Sequence, residues 1–87
     1  MPKVSLIMPF YQSEHFLQEA LLSLIGQKFA DWELLAIDDF SADGGPRIVQ
    51  DFASSDSRIR YIKNQQKGII PALQLGLKKA QGKYIGR

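Results

Sequence analysis

Eighty-seven residues leave room for one domain, and a hydrophobic share of 45% with 23% charged residues is that of a folded chain rather than a disordered one. No cysteine is present, which excludes disulfides and cysteine-type zinc sites, and the single His15 cannot hold a metal alone. The net charge of +2 divides unevenly: all nine acidic residues lie between Glu14 and Asp56, whereas Arg58 to Arg87 carries eight basic residues and no acidic one. Such a division fits ordinary solvated faces, or a surface for an acidic partner. The opening MPKVSLIMPF is far too short to span a bilayer and lacks a signal-peptide cleavage pattern, so a cytoplasmic chain without a transmembrane segment is expected. A domain this small buries a modest share of its surface and should be marginally stable.

Lys3 to Met8 has the apolar, β-rich character of a buried strand, which Pro9 ends because proline cannot donate to a ladder. Phe10, Tyr11 and Gln12 follow as a loop. Ser13 is the expected N-cap of a helix over residues 14 to 27, with Glu14 at the positive end of its dipole and Leu17, Ala20, Leu21 and Leu24 on its inner face. Gly26 is where this helix frays. Phe29 and Trp32 are expected to pack under the loop before the second strand, Glu33 to Ile37.

Leu34 to Ile37 suits a strand buried on both faces, and Asp38 and Asp39 follow at once. Ionised groups do not continue into a packed core, so the strand ends here, at the carboxyl end of the sheet where open α/β folds bind ligands. Ser41, Asp43, Gly44 and Gly45 supply turn and cap chemistry, and Pro46 opens a helix running to Ser54 with Ile48, Val49, Phe52 and Ala53 inward. A polar turn leads to a third strand, Arg58 to Lys63, and a loop, Asn64 to Gly68. A third helix presents Ile70, Leu73, Leu77 and Ala80, tolerates Pro71 in its first turn and ends on Gly82 as its cap; Gly76 allows close helix packing. Lys83 to Arg87 begins a fourth strand.

A βαβαβαβ succession predicts an α/β fold: a three-layer, Rossmann-like parallel sheet with helices on both faces. Right-handed crossovers between strands one, two and three laid side by side put the first two helices on one face; if the third helix covers the other face, strand four returns beside strand one, giving the order 3-2-1-4. The reversal between strands one and four opens a crevice bordered by Pro9 to Gln12 and by the acidic corner, so that Tyr11 and Asp39 share one ligand site. The fourth strand leaves a bare edge, from which a truncated domain and self-association through that edge are expected.

VSLIMPFY, LLSLIGQKFADWELLAIDDFSADGG and RIRYIKNQQKGIIPALQLGLKKAQGKYIGR, in this order and spacing, resemble the N-terminal nucleotide-sugar-binding portion of a family 2 glycosyltransferase, inverting and of GT-A fold. The resemblance covers essentially the whole chain. It implies transfer of a sugar from a nucleotide diphosphate donor, a UDP-sugar foremost, to an acceptor hydroxyl with inversion, in cell wall or polysaccharide biosynthesis. It implies that Pro9, Phe10 and Tyr11 line the nucleobase, with Tyr11 stacking on it. Asp39 would accept a hydrogen bond from the base imide, Asp38 would support the corner, and Asn64 and Lys67 would add polar contacts to base or phosphate. The family's D-x-D motif for Mn²⁺ or Mg²⁺ and its catalytic carboxylate would follow Arg87, so these 87 residues are expected to hold no metal and to transfer no sugar. The parent enzyme would work in the cytoplasm or on the cytoplasmic face of a membrane. Gln12, Phe40, Ala42 and Gln74 depart from the family's usual Asn, Gly or Asn, Thr, and Asn.

Plainer readings stand beside these. Asp38 and Asp39 can cap the following turn and helix, Tyr11 can be a half-buried aromatic, and His15 faces solvent. Two rival functions are a phospho-acceptor signalling domain and a non-enzymatic module binding an acidic partner through Arg58 to Arg87. In the first, the acidic pair ends the first strand rather than the second. No G-x-G-x-x-G or G-x-x-x-x-G-K-[ST] phosphate loop is present, and no nucleic-acid partner is expected.

Overall fold

The computed structural model describes residues 2–86. Four parallel strands, β1 (Val4–Phe10), β2 (Trp32–Asp38), β3 (Ile59–Lys63) and β4 (Tyr84–Gly86), lie in the expected order β3-β2-β1-β4. Helices α1 (Glu14–Ile25) and α2 (Gly45–Ser55) cover one face, and α3 (Ile69–Lys79) the other. Every residue of β2 is buried, because this strand is sandwiched on both faces and paired on both edges. Among the described residues no helix is long and apolar enough to cross a membrane.

Pro9 does not end β1. The strand runs on through Pro9 and Phe10 in register with Ile37 and Asp38. The Phe10 carbonyl accepts the Asp39 N–H at 2.9 Å and so faces β2, which turns the neighbouring Pro9 nitrogen to the opposite edge. There the described part of β4 reaches only Val4 to Leu6, so no ladder bond is asked of the proline. Phe10 consequently leaves the expected loop and enters the core between β1, α1 and α2.

Other boundaries shift for similar reasons. β2 begins at Trp32, a core residue whose ring carries the Arg58 guanidinium at 4.0 Å from its centroid, while Phe29 is exposed rather than packed under the loop. α3 turns its small residues inward. Ala72 and Gly76 are buried, and a Cβ on Gly76 would lie 2.5 Å from Ile7, so close helix packing there is confirmed. Ile70 and Leu77, expected on that inner face, are exposed. Ala20 of α1 is exposed as well. Gly82 is not a cap, since α3 ends on Ala80 in extended conformation; it lies instead against β1, where a Cβ would meet the Ser5 nitrogen at 2.6 Å. The fourth strand is found over Tyr84–Gly86, and Arg87 lies outside the described residues.

At the amino end of the sheet, Glu33, the second residue of β2, is buried, although its place at the start of the expected strand gave no sign of it. Its carboxylate accepts from Ser5 Oγ (2.6 Å), the Gln81 N–H (2.7 Å) and Arg60 Nη1 (3.1 Å), while Ser5 Oγ accepts from the Gly82 N–H (2.7 Å). Burial pushes the Glu33 carboxyl up, but the hydrogen bonds from Ser5, Gln81 and Arg60 outweigh it and hold it below the ordinary carboxylate range. This network ties the α3–β4 connection to the first two strands.

Candidate functional site

Successive side chains of a strand point to opposite faces, and the acidic pair at the end of β2 divides accordingly. Leu34 and Ala36 face α1 and α2, and Asp38 continues their row. It is 3% exposed, and its carboxylate is satisfied by the Tyr61 hydroxyl at 2.5 Å and by the Ser41 N–H at 2.9 Å. Tyr61 shares that row of β3, and its hydroxyl is pushed up to about 12 by burial and by the adjacent Asp38 carboxylate, so it stays a donor. Asp38 therefore holds the corner together, the supporting role that the resemblance implied, with its carboxylate committed to protein donors.

Asp39 turns the other way, to the side of α3. Its Oδ1 accepts from Asn64 Nδ2 at 3.1 Å and from the Gly68 N–H at 2.9 Å; among the described residues Oδ2 has no protein donor. Beside it opens a hollow of about 210 Å³ lined by Pro9, Phe10, Tyr11, Asp39 and Ile69. Tyr11 is half exposed, and Lys67 Nζ stands 4.8 Å from its ring centroid. The structure thus gathers Pro9, Tyr11, Asp39 and Lys67 at one mouth. Phe10 contributes differently from expectation, its ring being in the core on the other face, 6.5 Å from Tyr61. Asn64 also differs: it is 3% exposed, and its amide is committed to Asp39, Gly68 and Gln65 rather than open to a ligand. Ile69 lines the hollow without having been singled out. Its place at the start of α3, next to a glycine turn, was the available signal.

Two loops are latched beneath this mouth. Gln12 donates its N–H to Ser41 Oγ (3.1 Å) and accepts from the Ala42 N–H (2.5 Å) through its own side chain. Asp43 caps two helices at once, accepting the Glu14 N–H at 3.2 Å on one oxygen and the Gly45 N–H at 3.0 Å on the other. Ser13, at the N-cap position of α1, makes no side-chain cap and donates to the Tyr11 carbonyl instead.

Gln12 and Phe40 have positive φ, 51° and 62°. The departures at both positions now have a physical meaning, because asparagine and glycine enter this left-handed region at least cost. Phe40 is exposed and lies outside the lining of the hollow, so its ring does not narrow it. Phe40→Gly is expected to raise stability by about 0.5–1 kcal/mol. Urea unfolding of the two proteins measures it, and an equal or lower midpoint for the variant would count against a strained Phe40.

A larger hollow, about 330 Å³, opens at the amino end of the strands by Trp32, Arg58 and Arg60. Its two guanidiniums are paired, Arg58 with Asp56 at 2.7 Å and Arg60 with Glu33 at 3.1 Å, so the basic stretch of the sequence is not a free cationic surface here. Among the described residues no three carboxylate or imidazole side chains come together as a metal site.

Known proteins resemble this chain in sequence and in fold. The profile described as glycosyl transferase family 2 matches residues 5–87. The chain is 42% identical over 83 residues to the Escherichia coli UDP-Glc:alpha-D-GlcNAc-diphosphoundecaprenol beta-1,3-glucosyltransferase WfgD, covering 94% of this chain and 32% of that one. Among solved structures, the mannosyltransferase PcManGT from Pyrobaculum calidifontis, in complex with GDP-Man and Mn²⁺, superposes with a TM-score of 0.85 at 25% identity, over 97% of this chain and 26% of that one. S. aureus TarS (residues 1–349) in complex with UDP gives 0.83 at 28% identity, over 95% and 25%. The chain spans about a quarter to a third of the length of the curated relatives it matches first.

Proposed function

This chain belongs to glycosyl transferase family 2, and from that premise we propose that it is the part of a sugar-transferring enzyme that holds the nucleotide of a UDP-sugar, the parent enzyme passing the sugar to an acceptor hydroxyl with inversion. The observation that carries this reading is Asp39 Oδ2, which has no protein donor among the described residues, beside an exposed aromatic ring and a cation, Tyr11 and Lys67, around one hollow. A pyrimidine stacked on Tyr11 directs its imide N–H at Oδ2, a charge-assisted hydrogen bond. Lys67 leaves the ring for the anionic phosphates as the base arrives, exchanging a cation–π contact for a stronger ionic one.

In this reading the divalent metal and the base that deprotonates the acceptor belong to other parts of the parent enzyme, and no step of the transfer is assigned to residues 1–87. The relatives' names, which include sugar transfer to a diphosphoundecaprenol-linked acceptor, support polysaccharide or cell-wall synthesis in the cytoplasm or at its membrane face. Calorimetric titration with UDP tests the donor site: saturable one-to-one binding is expected, and no heat up to millimolar UDP would reject the reading. The exposed Tyr84 and Ile85 of β4 favour pairing between copies. Light scattering is expected to show oligomers that grow with concentration, and a monomer throughout would count against this.

A further inference from the structure

The two oxygens of Asp39 are not equivalent, and the difference bears on which base the hollow takes, an inference that rests on the nucleotide-site reading above. The Asn64 amide and the Gly68 N–H both donate to Oδ1, at 3.1 and 2.9 Å, which fills the two acceptor directions of one carboxylate oxygen. Neither donor is free to leave. Asn64 is buried, its own N–H donates to the Asp38 carbonyl at 2.8 Å, its Oδ1 accepts the Gln65 N–H at 3.1 Å, and Nδ2 also donates to the Gly68 carbonyl at 3.3 Å. Gly68 has φ of 124°, a backbone conformation that side chains rarely adopt, and it aims its N–H from the start of α3. Only Oδ2 remains for a ligand.

We infer that Asn64, together with the Gly68 N–H, is a base-selecting positioning residue: by saturating Oδ1 it makes Asp39 a one-oxygen acceptor, suited to a base with a single imide N–H and no amino group beside it. Uracil meets this requirement, its N3–H being flanked by two carbonyls. Guanine offers N1–H and a 2-amino group side by side, a pair that a carboxylate matches only with both oxygens. Here the amino group meets an oxygen with no acceptor direction left and loses its bond to water without replacement. Cytosine and adenine set a bare ring nitrogen, itself an acceptor, against Oδ2 and are repelled.

Calorimetry on the chain with UDP, N3-methyl-UDP, GDP and IDP tests the inference, since hypoxanthine is guanine without the 2-amino group. UDP is expected to bind at least about tenfold more tightly than GDP and than N3-methyl-UDP, and IDP to bind about fivefold more tightly than GDP, whose 2-amino group is stranded. Asn64→Ala opens one acceptor direction on Oδ1 and is expected to favour GDP over IDP by about fivefold. A purely structural Asn64 would weaken every ligand alike and leave the GDP to IDP ratio unmoved, which overturns the inference. Should that variant not fold, the wild-type series decides alone. GDP binding at least as tightly as IDP, or as tightly as UDP, means that the 2-amino group finds an acceptor and overturns the inference while the site reading stands. Absence of binding by every nucleotide overturns the site reading, and this inference falls with it.

Discussion

Asp39→Ala is expected to weaken UDP binding by about 1–3 kcal/mol, roughly 5- to 150-fold, the cost of losing a charge-assisted hydrogen bond inside a partly desolvated hollow. The alanine variant also strips the Asn64 amide and the Gly68 N–H of their acceptor, so part of its loss would come from a loosened β3–α3 loop. Asp39→Asn separates the two effects. Its amide oxygen at the Oδ1 position keeps both protein donors satisfied, while an NH₂ replaces Oδ2 and faces the base imide as donor against donor. Asp39→Asn should therefore unfold like the parent protein yet lose UDP affinity as fully as Asp39→Ala. Inorganic diphosphate, which makes no use of the base pocket, should bind the parent protein and Asp39→Asn alike. Equal UDP affinity for parent and Asp39→Asn would remove Asp39 from the site.

Glu33→Ala carries the largest expected stability change, about 2–4 kcal/mol. The substitution leaves Ser5 Oγ, which is fully buried, and the Gln81 N–H without an acceptor, and opens a space at the centre of the sheet's amino end. The Arg60 side chain is about one-third exposed and can turn to water, which keeps its share of the loss small. The pH dependence follows in sign. The folded Glu33 carboxyl titrates below its ordinary 4.5, so the unfolded chain binds more protons in that range. The stability from Glu33 is complete above about pH 4.5 and is lost as pH falls through the folded value. Asp56, held low chiefly by its hydrogen bond from Arg58, acts in the same direction and leaves a residual acid slope in the variant. Urea unfolding at pH 7 and at pH 4 measures both effects. A Glu33→Ala protein within 1 kcal/mol of the parent at pH 7 would contradict the network's role.

The layer arrangement was legible because it needs only the succession of elements and the handedness of crossovers. The meeting of Tyr11 and Asp39 followed from the same rule, since both emerge at the carboxyl end of adjacent strands. Strand parity separates Asp38, in one row with Leu34 and Ala36, from Asp39 on the other face, the split of roles that the resemblance implied. What escaped was the commitment of single side chains. Asn64 was legible as a loop residue near the site, but its burial and its bond to Asp39 are tertiary facts with no local signature. Pro9 misled because its missing N–H matters only on the edge it faces, and a sequence does not display that edge. Glu33, at the start of the expected strand, gave no sign of its burial, and its partners Arg60 and Gln81 lie 27 and 48 residues away.

The most direct test is nitrogen–proton correlation spectroscopy of the ¹⁵N-labelled chain during titration with UDP. The base should move the amides of Tyr11, Asp39, Gly68 and Ile69 together with one dissociation constant, and leave Glu33, Arg58 and Gln81 at the opposite end of the sheet unmoved. Shifts centred on Trp32, Arg58 and Arg60, or none at Asp39 and Gly68 at saturation, would contradict a nucleotide site at the carboxyl ends of β1 and β2.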